Sequence, residues 1–142
     1  MYHVLLPVDT NQKQAETIAE TLAEMPFEHG SITVTILNVF EQFEGEGGDV
    51  KVSSEEIYED TTLPESVSVA EASLAERDID AGVEQRHGEP AEKIVDFARE
   101  EDVDMILMGG RKRSPVGKAL FGSVSQKVLL SSERPVTVIV SE

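Results

Sequence analysis

The chain is 142 residues long and 39% apolar, has no cysteine, and sets 28 acids against 12 bases for a net charge of −16. That length builds one α/β or α+β domain around a single core and excludes a two-domain enzyme. Without cysteine there are no disulfides, thiolate zinc sites, iron–sulfur clusters or cysteine nucleophiles, and the acidic shell argues against nucleic acid or anionic membrane as a partner of the whole surface.

Tyr2 to Val8 is rich in β-formers and reads as a first strand. Asp9, Thr10 and Asn11 turn the chain, after which Ala15, Ile18, Ala19 and Leu22 recur at helical spacing. Asn11 and Gln14 have the capping-box arrangement, in which Asn accepts a first-turn N–H and Gln reaches back to the cap. A helix should therefore start there, and Pro26 and Gly30 help close it. Ile32 to Val39 makes a second strand. Phe40 to Thr62 carries Gly45, Gly47, Gly48 and many acids with little periodicity, so a flexible, exposed acidic loop is expected at about 40–62. Val67, Ala70 and Leu74 predict a helix after Pro64, and Val83 to His87 a short, polar, alternating third strand.

Pro90 stands where a first helical residue should, followed by Ala91, Ile94, Val95 and Ala98 on one face. Met105 to Met108 is apolar without alternation, the pattern of a parallel strand covered on both faces, and it is expected to break at Gly109-Gly110. A loop to Phe121 leads to a helix from Ser123, where Ser123 can cap, and Val136 to Val140 is the last strand. Strands alternating with helices call for an open five-stranded parallel α/β sheet with helices on both faces, joined by right-handed crossovers. The runs at 4–8 and 105–108 belong in the middle and 83–87 at an edge, which fits the order 3-2-1-4-5. The winding then reverses between the first and fourth strands, and ligands of such sheets bind beyond the strand ends there, at Val8-Asp9 and Met108-Gly109.

Charge points to the same place. Residues 1–104 sum to −20 and residues 105–142 to +4, with Arg111, Lys112, Arg113, Lys118 and Lys127 clustered around a glycine-rich stretch. That concentrates positive potential at one small anion site, or else balances nearby acids. Gly122-Ser123 opens a helix whose free N–H groups and dipole suit phosphate. Other phosphate motifs fail: Gly117-Lys118 lacks the first glycine and the hydroxyl of a P-loop, and neither Gly-x-Gly-x-x-Gly after the first strand nor Gly-x-Ser-x-Gly occurs. His3, His29 and His87 lack ligand spacing and read as structural or exposed.

Together these residues resemble the universal stress protein family over nearly the whole chain. Val4-Leu5-Leu6-Pro7-Val8-Asp9 looks like the family's first strand, Leu37-Asn38-Val39 the end of its second, and Gly88-Glu89-Pro90 its entry to the third helix. The family's Gly-x2-Gly-x9-Gly-[Ser/Thr] signature falls on Gly109, Lys112 and Gly122-Ser123, with Lys112 in place of the second glycine. The resemblance implies a homodimer through the last strand, Val136 to Val140, and ATP or AMP, with Mg only on its phosphates, held by Pro7, Val8, Asp9, Val39, Met108, Gly109, Arg111, Lys112, Gly122, Ser123, Val124 and Ser125. In that carry-over Asp9 contacts adenine or ribose, the backbone at Val39 reads the adenine edge, and Gly122, Ser123 and Ser125 take phosphates. Lys112 either loses a backbone phosphate contact or replaces it with its ammonium.

Three functional classes follow: a nucleotide-binding regulatory module of the stress response, a dimeric interaction protein without nucleotide, and a slow ATP hydrolase, for which no dedicated general base is visible. The first is preferred, with no catalytic residue assigned. Twenty Glu and six Lys also suit a halophilic interior. With no apolar run near the roughly 20 residues a membrane helix needs, and no export signal, the expected location is the cytoplasm.

Overall fold

The structure, a computed structural model, describes residues 1–28, 30–41, 63–111 and 122–141, with the backbone alone at Arg111 and Ser141. Among the described residues, strands β1 (Tyr2–Pro7), β2 (Ile32–Glu41), β3 (Ala81–Gly88), β4 (Met105–Arg111) and β5 (Val136–Ser141) alternate with helices α1 (Gln12–Glu24), α2 (Glu65–Ala75), α3 (Pro90–Glu100) and α4 (Ser123–Ser131). They form one parallel sheet in the order β3-β2-β1-β4-β5, as the strand composition predicts.

The central strands read as unbroken apolar runs because each feeds two cores. Val4 and Leu6 of β1 pack with Ile18 and Leu22 of α1 and Val67, Ala70 and Leu74 of α2. Leu5 points to the other face, against Ile94, Phe97 and Ala98 of α3 and Val128 of α4. Ile36 and Leu107 join the first cluster, Leu37 and Ile106 the second. A strand covered on both faces has no polar side to show, and each such side chain, fully buried, contributes about 1.5–3 kcal/mol. No described helix is long and apolar enough to cross a membrane.

Two of the helix starts are capped by side chains. Asn11 Oδ1 accepts the Gln14 N–H at 2.9 Å, so α1 begins where its sequence says. The second half of the capping box is replaced: Asp9 Oδ1 takes the Asn11 N–H at 2.8 Å. That frees the Gln14 side chain, which lies against Gly109 instead of reaching back. At α3, Glu89 Oε2 accepts the Glu92 N–H at 2.9 Å, with Pro90 as the first helical residue. Gly88 just before it has φ +139°, a conformation that favours glycine. At α4 the cap is Gly122, without any side-chain bond, because Ser123 already lies inside the helix.

Four strands run further than their sequences suggest: β3 spans Ala81–Gly88, beyond the expected Val83–His87, β5 adds Ser141, and β4 and β2 extend as well. β4 does not break at the glycines, since Gly109, Gly110 and Arg111 pair in register with Ile139, Val140 and Ser141. The apolar β5 supplies a ladder partner that outweighs the weak strand preference of glycine. β2 likewise includes Phe40 and Glu41, opposite His87 and Gly88. The expected acidic loop therefore begins later than Phe40, and the rest of it, 42–62, lies outside the described residues.

Candidate functional site

β1 pairs with β2 at six positions, from Tyr2↔Ile32 to Pro7↔Leu37, but with β4 at only two, Val4↔Met105 and Leu5↔Ile106. Beyond those two the carboxyl ends of β1 and β4 lack a shared ladder, at the point where the winding of the sheet reverses. A cleft of about 830 Å³ opens there, within the size of small-molecule sites.

Eight of the residues proposed from sequence line this cleft: Pro7, Val8, Asp9, Val39, Met108, Gly109, Val124 and Ser125. Gly122 and Ser123 start α4 without lining it, and Ser123 is exposed. Arg111 ends β4. Lys112, with the remainder of 112–121, lies outside the described residues.

The turn after β1 is held from several directions. Val8 N–H donates to the Leu37 carbonyl at 2.9 Å. Asn38 Nδ2 donates to the Val8 carbonyl at 3.0 Å, and Gln85 Nε2 donates to Asn38 Oδ1 at 3.0 Å. The hydroxyl of Ser66, fully buried at the start of α2, donates to the Asp9 carbonyl. With its own carboxylate capping the Asn11 N–H, Asp9 presents a fixed backbone at the mouth of the cleft.

On the β4 side the fit is one of close approach. A β-carbon on Gly109 would stand 2.5 Å from Gln14 Cδ and 2.7 Å from its Nε2, so glycine is what lets that amide lie across the strand end. Ser125 Oγ donates to the Gly109 carbonyl at 2.9 Å, and Ser125 is buried. In this arrangement its proton is directed at β4.

The apolar lining, including Leu37, Val39, Leu63, Ile94 and Met108, is suited to a flat ring system. Its charged described residues are the carboxylates Asp9, Glu41 and Glu65, which suit ligand hydroxyls and amines. His87, whose ring lies tilted with its centroid 5.6 Å from that of Phe40, has its pKa lowered by burial. His3 Nε2 meets Thr35 Oγ1 at 2.8 Å, a structural role, whereas His29 lies outside the described residues. Gln14, Asn38, Ser66 and Gln85 are the site's contributors that motif reasoning passes over.

An open parallel sheet in the order β3-β2-β1-β4-β5, with helices on both faces and a cleft at its switch point, defines the class of doubly wound α/β domains. The model of the universal stress protein family matches residues 1–140, and the chain belongs to that family. The stress response protein NhaX of Bacillus subtilis is 36% identical over 91 residues, covering 64% of this chain and 54% of that protein, so the match spans about half of NhaX. The solved universal stress protein of Archaeoglobus fulgidus is 31% identical and superimposes with a TM-score of 0.73 over 98% of each chain. A structure of the universal stress protein from the same organism in complex with dAMP has the same fold, with a TM-score of 0.67 and 22% identity over 98% of each chain.

Proposed function

We propose that the protein is a regulatory module of the stress response that binds an adenine nucleotide, ATP or AMP, in the cleft between the ends of β1 and β4. The observation that carries this reading is the cleft itself, with Asp9, Val39 and Gly109 around about 830 Å³ at the switch point. The residues fit such a ligand: an apolar wall for the base, Asp9 for the ribose hydroxyls, and the uncapped first turn of α4 for phosphate. The dAMP complex of a fold relative is consistent with it. Magnesium would accompany the phosphates only. The Asp9 carboxylate is already engaged with the Asn11 N–H, which favours binding over base catalysis.

The module acts as a homodimer through β5, a sheet edge with Val140 partly exposed next in space to a helix bearing exposed Leu129 and Leu130. Light scattering should return twice the chain mass; a monomer removes the dimer. The charge of −16 supports function in concentrated salt. Calorimetric titration with ATP and AMP, with magnesium in multimolar KCl, tests the nucleotide. Saturable binding that Asp9→Ala weakens by about tenfold or more is expected; no heat from either nucleotide with the folded protein overturns the reading.

A further inference from the structure

Two side-chain amides and a carbonyl on the β1–β2–β3 side of the cleft form a relay whose polarity is fixed at one end. The Val8 carbonyl can only accept, so the group 3.0 Å from it must be the donor Nδ2 of Asn38. Asn38 is 4% exposed, and its Oδ1 is then turned toward β3. There it faces its register partner, since Asn38 pairs directly with Gln85. An acceptor facing Gln85 at 3.0 Å requires the donor Nε2. The orientation of the Gln85 amide is thus dictated from Val8, leaving Oε1 as an acceptor with the second Nε2 proton beside it.

Gln85 also breaks the pattern of its strand. Ala81 and Val83, four and two residues earlier on the same face, pack against the apolar cluster under α1 and α2. The next position on that face continues an apolar series, and a carboxamide there lines the cleft instead. Among the described residues nothing donates to its Oε1.

We propose that Gln85 is the side chain that reads the base edge of the bound nucleotide beside the backbone at Val39, its Oε1 accepting from a 6-amino group and its free Nε2 proton reaching an adjacent ring nitrogen that the Val39 backbone leaves open. This rests on the nucleotide reading above and names the residue that sets base specificity within it. The placement follows from the sheet. Three inter-strand spacings of about 4.8 Å separate β4, beside the start of α4, from β3. That span matches the reach of a nucleotide from phosphate to base, so a phosphate at α4 directs the base toward Gln85. A carboxamide presents an acceptor and a donor side by side, the complement of an adenine edge. A 6-oxo purine seated the same way sets oxygen against oxygen. Asn38 is the positioning residue: it touches Gln85 and the chain before Asp9, not the base.

The test is titration of the full chain with AMP, IMP and N6,N6-dimethyl-AMP, repeated on Gln85→Met and on Gln85→Val, which extends the Ala81 and Val83 series. Wild-type protein should bind AMP about tenfold or more tighter than either analogue. Both variants should lose about tenfold toward AMP while holding their affinity for IMP, so that the preference disappears. Equal binding of AMP and IMP by wild-type protein, or a preference that survives in whichever variant folds, overturns the assignment to Gln85 and leaves nucleotide binding standing. If wild-type protein binds none of the three, the nucleotide reading fails and this inference with it.

Discussion

On the β1–β2–β3 side of the cleft, Asp9, Asn11, Asn38, Ser66 and Gln85 are tied into one another and into the backbone by side-chain hydrogen bonds. On the β4–α4 side the described lining residues show one such bond, from Ser125 to the Gly109 carbonyl, and the rest is shape, with Gln14 lying where a β-carbon is missing. One wall is rigid before any ligand arrives. The other is built from backbone and small residues that permit close approach, the arrangement expected where peptide N–H groups meet an anion. Under the proposed nucleotide function, specificity for a base belongs on the first wall and tolerance of phosphate geometry on the second.

The largest effect should come from cutting the relay at its centre. Asn38→Leu leaves the Val8 carbonyl and the Gln85 amide without their partner. A loss of about 2–4 kcal/mol in urea unfolding is expected, together with loss of nucleotide binding. Unfolding unchanged within about 0.5 kcal/mol would show that the rigid wall is not rigid for this reason.

Next comes the opposite wall. Gly109→Ala places a methyl 2.5–2.7 Å from three atoms of the Gln14 side chain, which must move. A cost of about 1–3 kcal/mol is expected. The double variant Gly109→Ala with Gln14→Ala should recover most of it, a coupling that a mutant cycle measures directly. Additive losses would mean that β4 itself, not the Gln14 contact, requires the glycine.

Helix starts sharpen the same contrast. Asn11→Ala removes a side-chain cap from α1 and should cost about 1 kcal/mol. Ser123→Ala, inside α4 and exposed, should change unfolding by less than about 0.5 kcal/mol. If the α4 end holds phosphate, the same variant still weakens AMP. Stability and affinity thus separate on one wall and travel together on the other.

How much of this was legible in the sequence depends on whether the signal was periodic. The two-core strands announced themselves, because Val4, Leu5 and Leu6 are all buried and any strand with that property must be continuous in apolar residues. Strand order followed from the same rule. The switch-point location of the cleft, with Asp9 and Gly109 at the strand ends, came with the order, and Val39 came with the family resemblance. What escaped was set by tertiary partners. Gly109-Gly110 reads as a break until Ile139 and Val140 are seen alongside. Gln14 reads as half of a capping box until Asp9 takes the N–H it would have reached. Ser66 is one residue into α2 and looks like surface, yet its hydroxyl is buried against Asp9. Gln85 carries a signal of its own: a polar residue in phase with Ala81 and Val83 asks for a reason that the edge position of β3 does not supply.

The smallest expected effect lies at the rim of the rigid wall and is read by pH. His87, opposite Phe40 in the β2–β3 ladder, is held below its ordinary pKa of 6.5 because burial disfavours the imidazolium. As pH falls, the unfolded chain takes up this proton first, so the unfolded state binds more protons and folding stability declines with it. The contribution is fully present above pH 6.5, shrinks as pH drops below that value, and stops shrinking once the folded imidazole is also protonated. Carboxylates titrate lower and shift the same curve, so the comparison is with His87→Phe, which keeps a ring against Phe40 and removes the proton. The variant's unfolding midpoint should approach or overtake that of the wild type between pH 8 and pH 5.5, by a few degrees at most. Parallel curves would mean that the imidazole titrates equally in both states, and that the outer end of the β2–β3 ladder is more open to water than the cleft it borders.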